Sequence, residues 1–219
     1  MRKKKKKPWP TKKAMTQVYE KKLWGGKNYD FYSGEGSHNP EIVEPYINVV
    51  ISFLKSFETP ISICDLGCGD FNIGKELVEY TKRYVAVDIV ESLIERNKMR
   101  FKIDNLEFQC LDIATDELPS GDCVIIRQVL QHLSNTEVQN VLQKLINYKY
   151  VILTEHVPEA EFIPNNDIIS GQGIRLKKKS GLDVLAPPFN FQIKEEKQLL
   201  SLVLNNNQGV IITTMYTVF

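Results

Sequence analysis

The stretch ISICDLGCGDFN, residues 61–72, decides the fold of this chain. An apolar run ends in an acid, Asp65, and is followed by two glycines, Gly67 and Gly69, with Cys68 between them. Glycine adopts positive φ without strain and has no Cβ, so a ligand can lie against the backbone at this point. The N–H groups that open a following helix then face the ligand. The stretch therefore predicts a strand, a nucleotide-binding turn and the start of a helix.

A second acid indicates which kind of nucleotide the turn would hold. The next predicted strand, YVAVDIV at residues 84–90, contains Asp88, which lies 21 residues beyond Gly67. At this spacing a βαβ unit places an acid against the two ribose hydroxyls. A dinucleotide fingerprint would need a third glycine at the position of Asn72. Asp65 would also repel a diphosphate and favours a cationic ligand, so the pattern disfavours NAD.

These residues resemble the first motif of the class I, Rossmann-like S-adenosylmethionine-dependent methyltransferases, in which an acid precedes spaced glycines. The chain departs from that motif at Phe71, where the last glycine of the motif is replaced. The resemblance implies a doubly wound, mostly parallel α/β sheet with seven strands and a C-terminal antiparallel hairpin. It also implies an enzyme that takes a methyl group from S-adenosylmethionine.

The resemblance further implies a set of cofactor-binding residues in the glycine turn and at the ends of the next three strands. They are Asp65, Gly67, Cys68, Gly69, Asp88, Ile89, Asp112, Ile113, Arg127 and Gln128. By similarity, Asp112 is expected to accept a hydrogen bond from the adenine amino group, and the N–H of Ile113 to meet the ring. Arg127 and Gln128 are expected beside the methionine part and its methyl group.

Strand and helix patterns alternate along the chain, which predicts parallel strands with ligands at their carboxyl ends. Apolar residues spaced three and four apart predict a helix over residues 40–57 ahead of the first strand. Further helices are predicted over residues 73–82, 91–101 and 135–147, the last with Ser134 and Glu137 as a capping pair. The C-terminal residues suggest a hairpin, with a helix over 194–205 as the competing interpretation.

Two histidines fall at the predicted strand exits, where a general base for methyl transfer could stand. His132 follows the fourth strand and His156 follows the fifth. Each could instead make a structural hydrogen bond. The four cysteines lack metal-ligand spacing and nearby histidines, so we predict reduced core thiols and no metal site.

Two segments are candidates for the substrate side of the site. YDFYSGEGSH, residues 29–38, predicts a mobile lid in which Tyr29 and Tyr32 shield the sulfonium by cation–π contact and His38 contacts substrate. The long segment 157–193 predicts a substrate loop, in which Arg175 could bind an anionic acceptor.

Composition predicts one domain, residues 28–219, in a chain of 219 residues with 42% hydrophobic content. Residues 1–27 hold 11 Lys or Arg and one acid, so we expect a flexible basic tail with nucleic acid as a possible partner. No apolar run is long enough to span a bilayer and no secretory signal is visible, so a cytoplasmic location is expected.

The first functional hypothesis is a methyltransferase that acts on an oxygen or nitrogen of a small molecule. The alternatives are an RNA methyltransferase, suggested by the lysine run, and a non-catalytic S-adenosylmethionine-binding regulatory protein on the same fold. An NAD-dependent reductase ranks last, because of Asp65 and Asn72.

Overall fold

The computed structural model of the chain describes residues 9–205 and 208–219. Within them the α-helices are α1 (Thr11–Glu20), α2 (Glu35–His38), α3 (Pro40–Leu54), α4 (Glu91–Arg100) and α5 (Asn135–Leu145). The strands are β1 (Ser62–Leu66), β2 (Arg83–Asp88), β3 (Leu106–Cys110), β4 (Cys123–Arg127), β5 (Tyr150–Val157), β6 (Glu195–Val203) and β7 (Val210–Thr217). Short 3₁₀ turns cover Gly74–Glu76, Val78–Tyr80, Leu130–His132 and Arg175–Lys178.

The strands form one seven-stranded sheet in the order β3-β2-β1-β4-β5-β7-β6. The first five strands run parallel, and β7 pairs antiparallel with both β5 and β6. The strand order reverses between β1 and β4, and in open α/β sheets a ligand crevice opens at this point. The predicted doubly wound sheet with a C-terminal hairpin is confirmed, and a helix over 194–205 is wrong.

The parallel strands are buried on both faces, which is why they read as continuous apolar runs. On one face α5 and the segment after β5 pack over β4 and β5, around residues such as Val124, Leu142 and Phe189. On the other face α3 packs through Tyr46 and Val50. The two apolar layers hold the carboxyl ends of β1, β2 and β4 together at one edge of the sheet.

Three predicted helices are present with nearly the predicted bounds. The start of α5 carries the predicted capping box, in which Ser134 and Glu137 each bond to the backbone of the other. The helix predicted over 73–82 is wrong, because this stretch forms two separate 3₁₀ turns. Gly74 packs so closely against Phe71 that an added Cβ would lie 2.2 Å from the Phe71 ring.

The N-terminal segment differs from the expected tail in the part that the structure describes. Helix α1 begins at Thr11, and Val18 and Tyr19 are buried. Tyr19 packs with Val90 and Leu93, and partly buried Met15 joins this cluster. The lysine run lies within residues 1–8, which are outside the described residues. None of the helices in the described chain is long and apolar enough to cross a membrane.

Candidate active site

A cavity of about 380 Å³ opens at the carboxyl ends of the parallel strands. Its floor contains the glycine turn after β1, Asp88 at the end of β2, and the residues that follow β3 and β4. Its other walls come from α1, from residues 33–37 and from residues 172–177. The cavity size lies in the ordinary range for a small-molecule site.

The glycine turn depends on backbone conformations that favour glycine. Gly67 has φ +86° and Gly69 has φ +56°. A Cβ on Gly67 would lie 2.3 Å from the Val129 side chain, and one on Gly69 would lie 2.3 Å from Ser33 Oγ. The protein side chains around the turn therefore require glycine at both positions.

Asp88 ties the turn to the end of β2. Its carboxylate accepts hydrogen bonds from the N–H of Gly69 at 3.1 Å and the N–H of Val90 at 3.0 Å. Burial raises the pKa of Asp88 to about 6, against the lowering effect of these backbone donors. Asp88 also lines the cavity, where a carboxylate can receive hydroxyl donors.

Phe71 stands where the related motif has its last glycine, and its φ of +64° is in the left-handed region. Such a conformation is strained for a bulky residue and persists only where the surroundings fix it. The Phe71 ring is fully buried and meets Tyr84, Phe101 and Phe108 at centroid distances of 5.7, 5.1 and 4.9 Å. Aromatic packing of Phe71 thus stabilises the left-handed conformation, which a glycine at this position would adopt without strain.

Asp65 lies beside the main cavity and not in its wall, in contrast to the expected contact with the cofactor. It lines a small adjoining cavity of about 30 Å³ together with Tyr46, Tyr84 and Arg127. The Tyr84 hydroxyl donates to Asp65 Oδ2 at 2.9 Å. Burial raises the pKa of Asp65 to about 7. Successive side chains of β1 alternate between the two faces of the sheet, and Asp65 lies on the face that α3 covers through Tyr46.

Arg127 and Gln128 line the main cavity, at the position expected for them. The Arg127 guanidinium lies over the Tyr46 ring at 4.7 Å and donates to the carbonyl of Gly36. It also lies 3.4 Å from Ser37 Oγ. Burial lowers the pKa of Arg127. Its charge therefore anchors residues 36–37 at the edge of the cavity.

Asp112 and Ile113 also lie in the cavity wall, together with Cys68 and Ile89. One carboxylate oxygen of Asp112 accepts a hydrogen bond from the Ala114 N–H at 3.0 Å. The Asp112 N–H donates to Asp116 at 2.9 Å. Asp112 therefore shapes its own turn while it faces the cavity.

His132 is the histidine that the structure places in the cavity wall. Its Nδ1 lies 3.1 Å from the Gly171 carbonyl and 3.3 Å from the Gly173 carbonyl. Carbonyl oxygens only accept, so Nδ1 carries the proton and Nε2 carries the lone pair. Burial lowers the pKa of His132 to about 4, so the ring is neutral near pH 7.

The other histidine expected as a base, His156, lies outside the cavity wall. Its Nε2 is 2.6 Å from the Gln208 carbonyl, in the connection between β6 and β7. Its neighbour Gln131 lines the cavity and accepts from the His156 N–H at 3.1 Å. The expected catalytic role of His156 is wrong, because its ring faces the C-terminal hairpin.

Arg175 is not positioned to bind an acceptor. Its side chain is 1% exposed and donates to the carbonyls of Leu130 at 3.1 Å and Leu133 at 2.8 Å. It also donates to Asn135 Oδ1 at 2.7 Å. The guanidinium therefore makes hydrogen bonds at both ends of the 3₁₀ turn that contains His132. The predicted contact of Arg175 with a substrate is wrong.

Tyr29 and Tyr32 of the lid segment, residues 29–38, are not among the residues of the cavity wall. Tyr32 stacks on His38 at 4.4 Å, and Tyr29 lies 5.2 Å from each of those two rings. The lid residues in the cavity wall are the small ones, Ser33, Gly34, Gly36 and Ser37. The expected cation–π shield from Tyr29 and Tyr32 is therefore wrong, although the segment does cover the site.

Several wall residues escaped prediction because they belong to the supposed tail. They are Thr11, Met15, Tyr19 and Trp24. The Trp24 ring lies 5.5 Å from Tyr19 and 5.2 Å from His132. The spacing of Met15, Val18 and Tyr19 is the helical signal that the neighbouring lysines obscured.

In the described residues, no group of three His, Cys, Asp or Glu side chains could hold a metal ion. A site without metal therefore stays a prediction.

Comparison with known proteins agrees with this geometry. The sequence profile of a methyltransferase domain matches residues 63–148. Phosphoethanolamine N-methyltransferase 1 from Zea mays is 30% identical over 104 residues, which cover 45% of this chain and 21% of that protein. Malonyl-[acyl-carrier protein] O-methyltransferase from Acetivibrio thermocellus is 33% identical over 95 residues, which cover 42% of this chain and 31% of that protein. The chain thus spans less than a third of the length of these relatives.

Two solved structures share the fold. N-methyltransferase NodS from Bradyrhizobium japonicum WM9, in complex with S-adenosyl-L-homocysteine, has a TM-score of 0.66 and 13% identity, covering 93% of this chain and 98% of NodS. Magnesium protoporphyrin IX methyltransferase from Synechocystis PCC 6803, with bound S-adenosylmethionine, has a TM-score of 0.59 and 15% identity, covering 97% and 99%. The matched domain, the sheet order and the glycine turn show that the chain has the fold of the class I, Rossmann-like S-adenosylmethionine-dependent methyltransferases.

Proposed function

We propose that this chain transfers a methyl group from S-adenosylmethionine to an oxygen or nitrogen of a small molecule. The observation that carries the proposal is that one cavity is lined both by the glycine turn with Asp88 and by His132. Relatives named for N-methyl and for O-methyl transfer are both similar to the chain, so the proposal includes both acceptor atoms.

The residues present fit the proposed methyl donor. The left-handed turn at Gly67 and Gly69 brings backbone close to the cavity, and Asp88 offers a buried carboxylate to ribose hydroxyls. The donor supplies a methyl group on a sulfonium, which an acceptor displaces in line. Asp112 and Ile113 would hold the adenine end of the cavity, and Arg127 and Gln128 the methionine end.

His132 is the proposed proton acceptor. Because its Nδ1–H is directed at two loop carbonyls, its Nε2 carries a lone pair, and Gln131 Nε2 lies 3.4 Å from this atom. A nucleophilic oxygen or nitrogen that loses a proton during transfer can pass it to this atom. The low pKa keeps the ring unprotonated at neutral pH, which suits a proton acceptor but limits its strength as a base.

The enclosure of the cavity supports a small acceptor over RNA. Gln172 Nε2 donates to the Leu23 carbonyl at 3.0 Å, and the Thr11 hydroxyl donates to Glu137. These contacts join the N-terminal segment to the loop after β5 and to α5 above the cavity. A nucleic-acid strand would have to displace these joined segments to reach the cavity, whereas a metabolite needs only a small opening between them.

Titration calorimetry with S-adenosylmethionine, and separately with NAD, tests the donor. We expect saturable binding of the methyl donor, none of NAD, and loss of binding in Asp88→Ala. Asp104→Ala, which removes an exposed acid from the turn before β3, is the matched control and keeps wild-type affinity. Binding of NAD without the methyl donor would overturn the proposal.

Transfer of a labelled methyl group to phosphoethanolamine, to a panel of hydroxy and amino metabolites and to RNA then tests the acceptor. Turnover with any small molecule supports the proposal, and turnover with RNA alone supports the competing RNA hypothesis. Donor binding without turnover on any acceptor class would favour a regulatory binding protein.

A further inference from the structure

The lid segment is fixed to the glycine turn by one buried acid, Asp70. Asp70 Oδ2 accepts from the Ser33 N–H at 3.1 Å and lies 2.6 Å from His38 Nε2. In return, the Asp70 N–H donates to Ser33 Oγ at 2.9 Å. The Asp70 side chain is 4% exposed, so these bonds form away from competing water. One residue thus bonds to both halves of the lid segment.

A second set of contacts reinforces the same attachment. Arg96 on α4 makes a two-point ion pair with Asp30 at 2.7 and 3.0 Å and donates to the Asp70 carbonyl at 3.0 Å. Asn72 Nδ2 donates to the Ser37 carbonyl at 2.8 Å. The contacts of Asp30 and Ser37 join the lid segment to the rest of the protein, and the bond from Arg96 to the Asp70 carbonyl joins α4 to the glycine turn. All of them are contacts between protein groups.

The attachment lies across the donor end of the cavity. Ser33 and Gly36 line the cavity wall opposite the glycine turn. The approach is close, since a Cβ on Gly69 would lie 2.3 Å from Ser33 Oγ and one on Gly36 would lie 2.0 Å from the Gln128 side chain. A ligand seated on the glycine turn therefore lies beneath the lid segment.

We infer that Asp70 is a positioning residue that latches the lid segment over the methyl donor, so that release of this latch controls both uptake and release of the donor. The inference rests on the proposed function, because it needs the donor to occupy this cavity. Since every contact of the latch is made between protein groups, weakening it raises the open fraction both with and without a bound donor. The association and dissociation rates then rise together.

Two variants test the latch with different chemistry. Asp70→Asn replaces one carboxylate oxygen with an NH₂ group, so the side chain can no longer accept both from Ser33 N–H and His38 on one oxygen and from the Asn72 N–H on the other. His38→Phe keeps the aromatic stack on Tyr32 and removes only the bond to Asp70. Asp122→Asn is the matched control, because its carboxylate also accepts a backbone N–H, from Ser62 at 2.8 Å, at the opposite edge of the sheet.

Stopped-flow binding of S-adenosylhomocysteine, followed by Trp24 fluorescence, gives both rate constants. Loss of a charge-assisted bond predicts a rise of about tenfold in both rates for Asp70→Asn, with the dissociation constant changed by less than about twofold. The rise is expected in His38→Phe as well, and Asp122→Asn keeps wild-type rates. Thermal unfolding shows whether each variant remains folded.

Each outcome decides the inference. A dissociation rate that rises while association stays constant or falls means that Asp70 only supports the fold, and it overturns the latch. Wild-type rates in both variants overturn it as well and leave the proposed function standing. If the wild-type protein does not bind S-adenosylhomocysteine at all, the proposed function fails, and the latch fails with it.

Discussion

His132 and His156 show what the identity of a residue can and cannot indicate. Both lie near the predicted end of a strand, and both are candidates for a base by type and position. The fold separates them, because His132 faces the cavity through the turn after β4 while the ring of His156 lies against Gln208. The direction of a side chain at a strand exit depends on the turn that follows, and this was not readable from the spacing.

The two histidines make a matched pair for mutation. We expect His132→Gln to lower kcat by about 10² to 10⁴-fold at saturating donor, the usual contribution of a general base. We expect His156→Gln to retain kcat within about twofold, since it changes a contact of the hairpin only. Since the pKa of His132 is about 4, its ionisation should not change the wild-type kcat between about pH 6 and pH 8.

Steady-state kinetics with any active acceptor checks this prediction. Affinity for S-adenosylhomocysteine, measured on both variants, separates a chemical defect from a collapsed site. Equal losses in the two variants, or none in His132→Gln, would show that His132 serves only to anchor the loop at Gly171 and Gly173.

Among the predicted cofactor-side residues, the placement of the two glycines and of Asp88 in the cavity wall was the most predictable. The glycines and Asp88 follow from backbone conformation and βαβ spacing, which are local properties of the sequence. Arg175 was misread because charged residues are mostly exposed, and its three acceptors come from a turn some 40 residues earlier in the chain.

Among the elements, strands were predicted well because buried parallel strands are continuous apolar runs. The stretch 73–82 was not, since Gly74 and the left-handed Phe71 favour short turns over a helix. Helix α1 was missed for a different reason. The apolar face of α1 is small and lies within a basic segment, so the helix is recognised only from its packing against Val90 and Leu93.

The 3₁₀ turn Leu130–His132 depends on a long-range support. We expect Arg175→Met to lower the free energy of unfolding by about 3 kcal/mol, because it removes three hydrogen bonds from a charged donor and strands buried carbonyls. Lys178→Met, an exposed change in the same 3₁₀ turn, should stay within about 0.5 kcal/mol of wild type.

Urea denaturation of the two variants beside wild type measures this difference. A loss confined to turnover, with unchanged stability in Arg175→Met, would mean that the guanidinium acts on the acceptor after all and that its burial is not structural.

For the whole molecule, the sheet order and the position of the crevice followed from alternation of strands and helices. The segments that cover the cavity could not be predicted in this way. They are the first described helix and the loop after β5, and contacts between segments so distant in sequence leave no local pattern. The acceptor side of the site therefore needed the structure, whereas the donor side was largely readable from the chain.

Folding stability of the molecule should depend on pH through Glu155. This carboxyl is 5% exposed, and neither of its oxygens has a hydrogen-bond partner in the described residues. Burial raises the pKa of Glu155 to about 8 although Arg175 opposes the shift. The folded state thus holds this proton more tightly than the unfolded state, whose pKa is about 4.3. Its contribution to stability is complete below the unfolded value and is lost as pH rises toward about 8.

Glu155→Gln removes this dependence and keeps the shape of the side chain. We expect the variant to gain stability relative to wild type, by an amount on the order of a few kcal/mol, between about pH 5 and pH 8.5. Urea denaturation at the two pH values measures it, with exposed Glu159→Gln as a control that follows wild type. A variant that stays parallel to wild type at both pH values would show that Glu155 ionises freely.

The cavity wall is formed partly by turns of the sheet and partly by segments outside it, and this division has a consequence for divergence among proteins of this fold. The proposed donor contacts lie in turns whose conformation is constrained by positive φ and by the sheet, whereas the other wall comes from α1 and residues 172–177, which lie outside the sheet. Substitutions in that wall alter the shape offered to an acceptor without disturbing the donor turn. Acceptor preference can therefore change through exchange of these two peripheral segments while the donor turn stays the same.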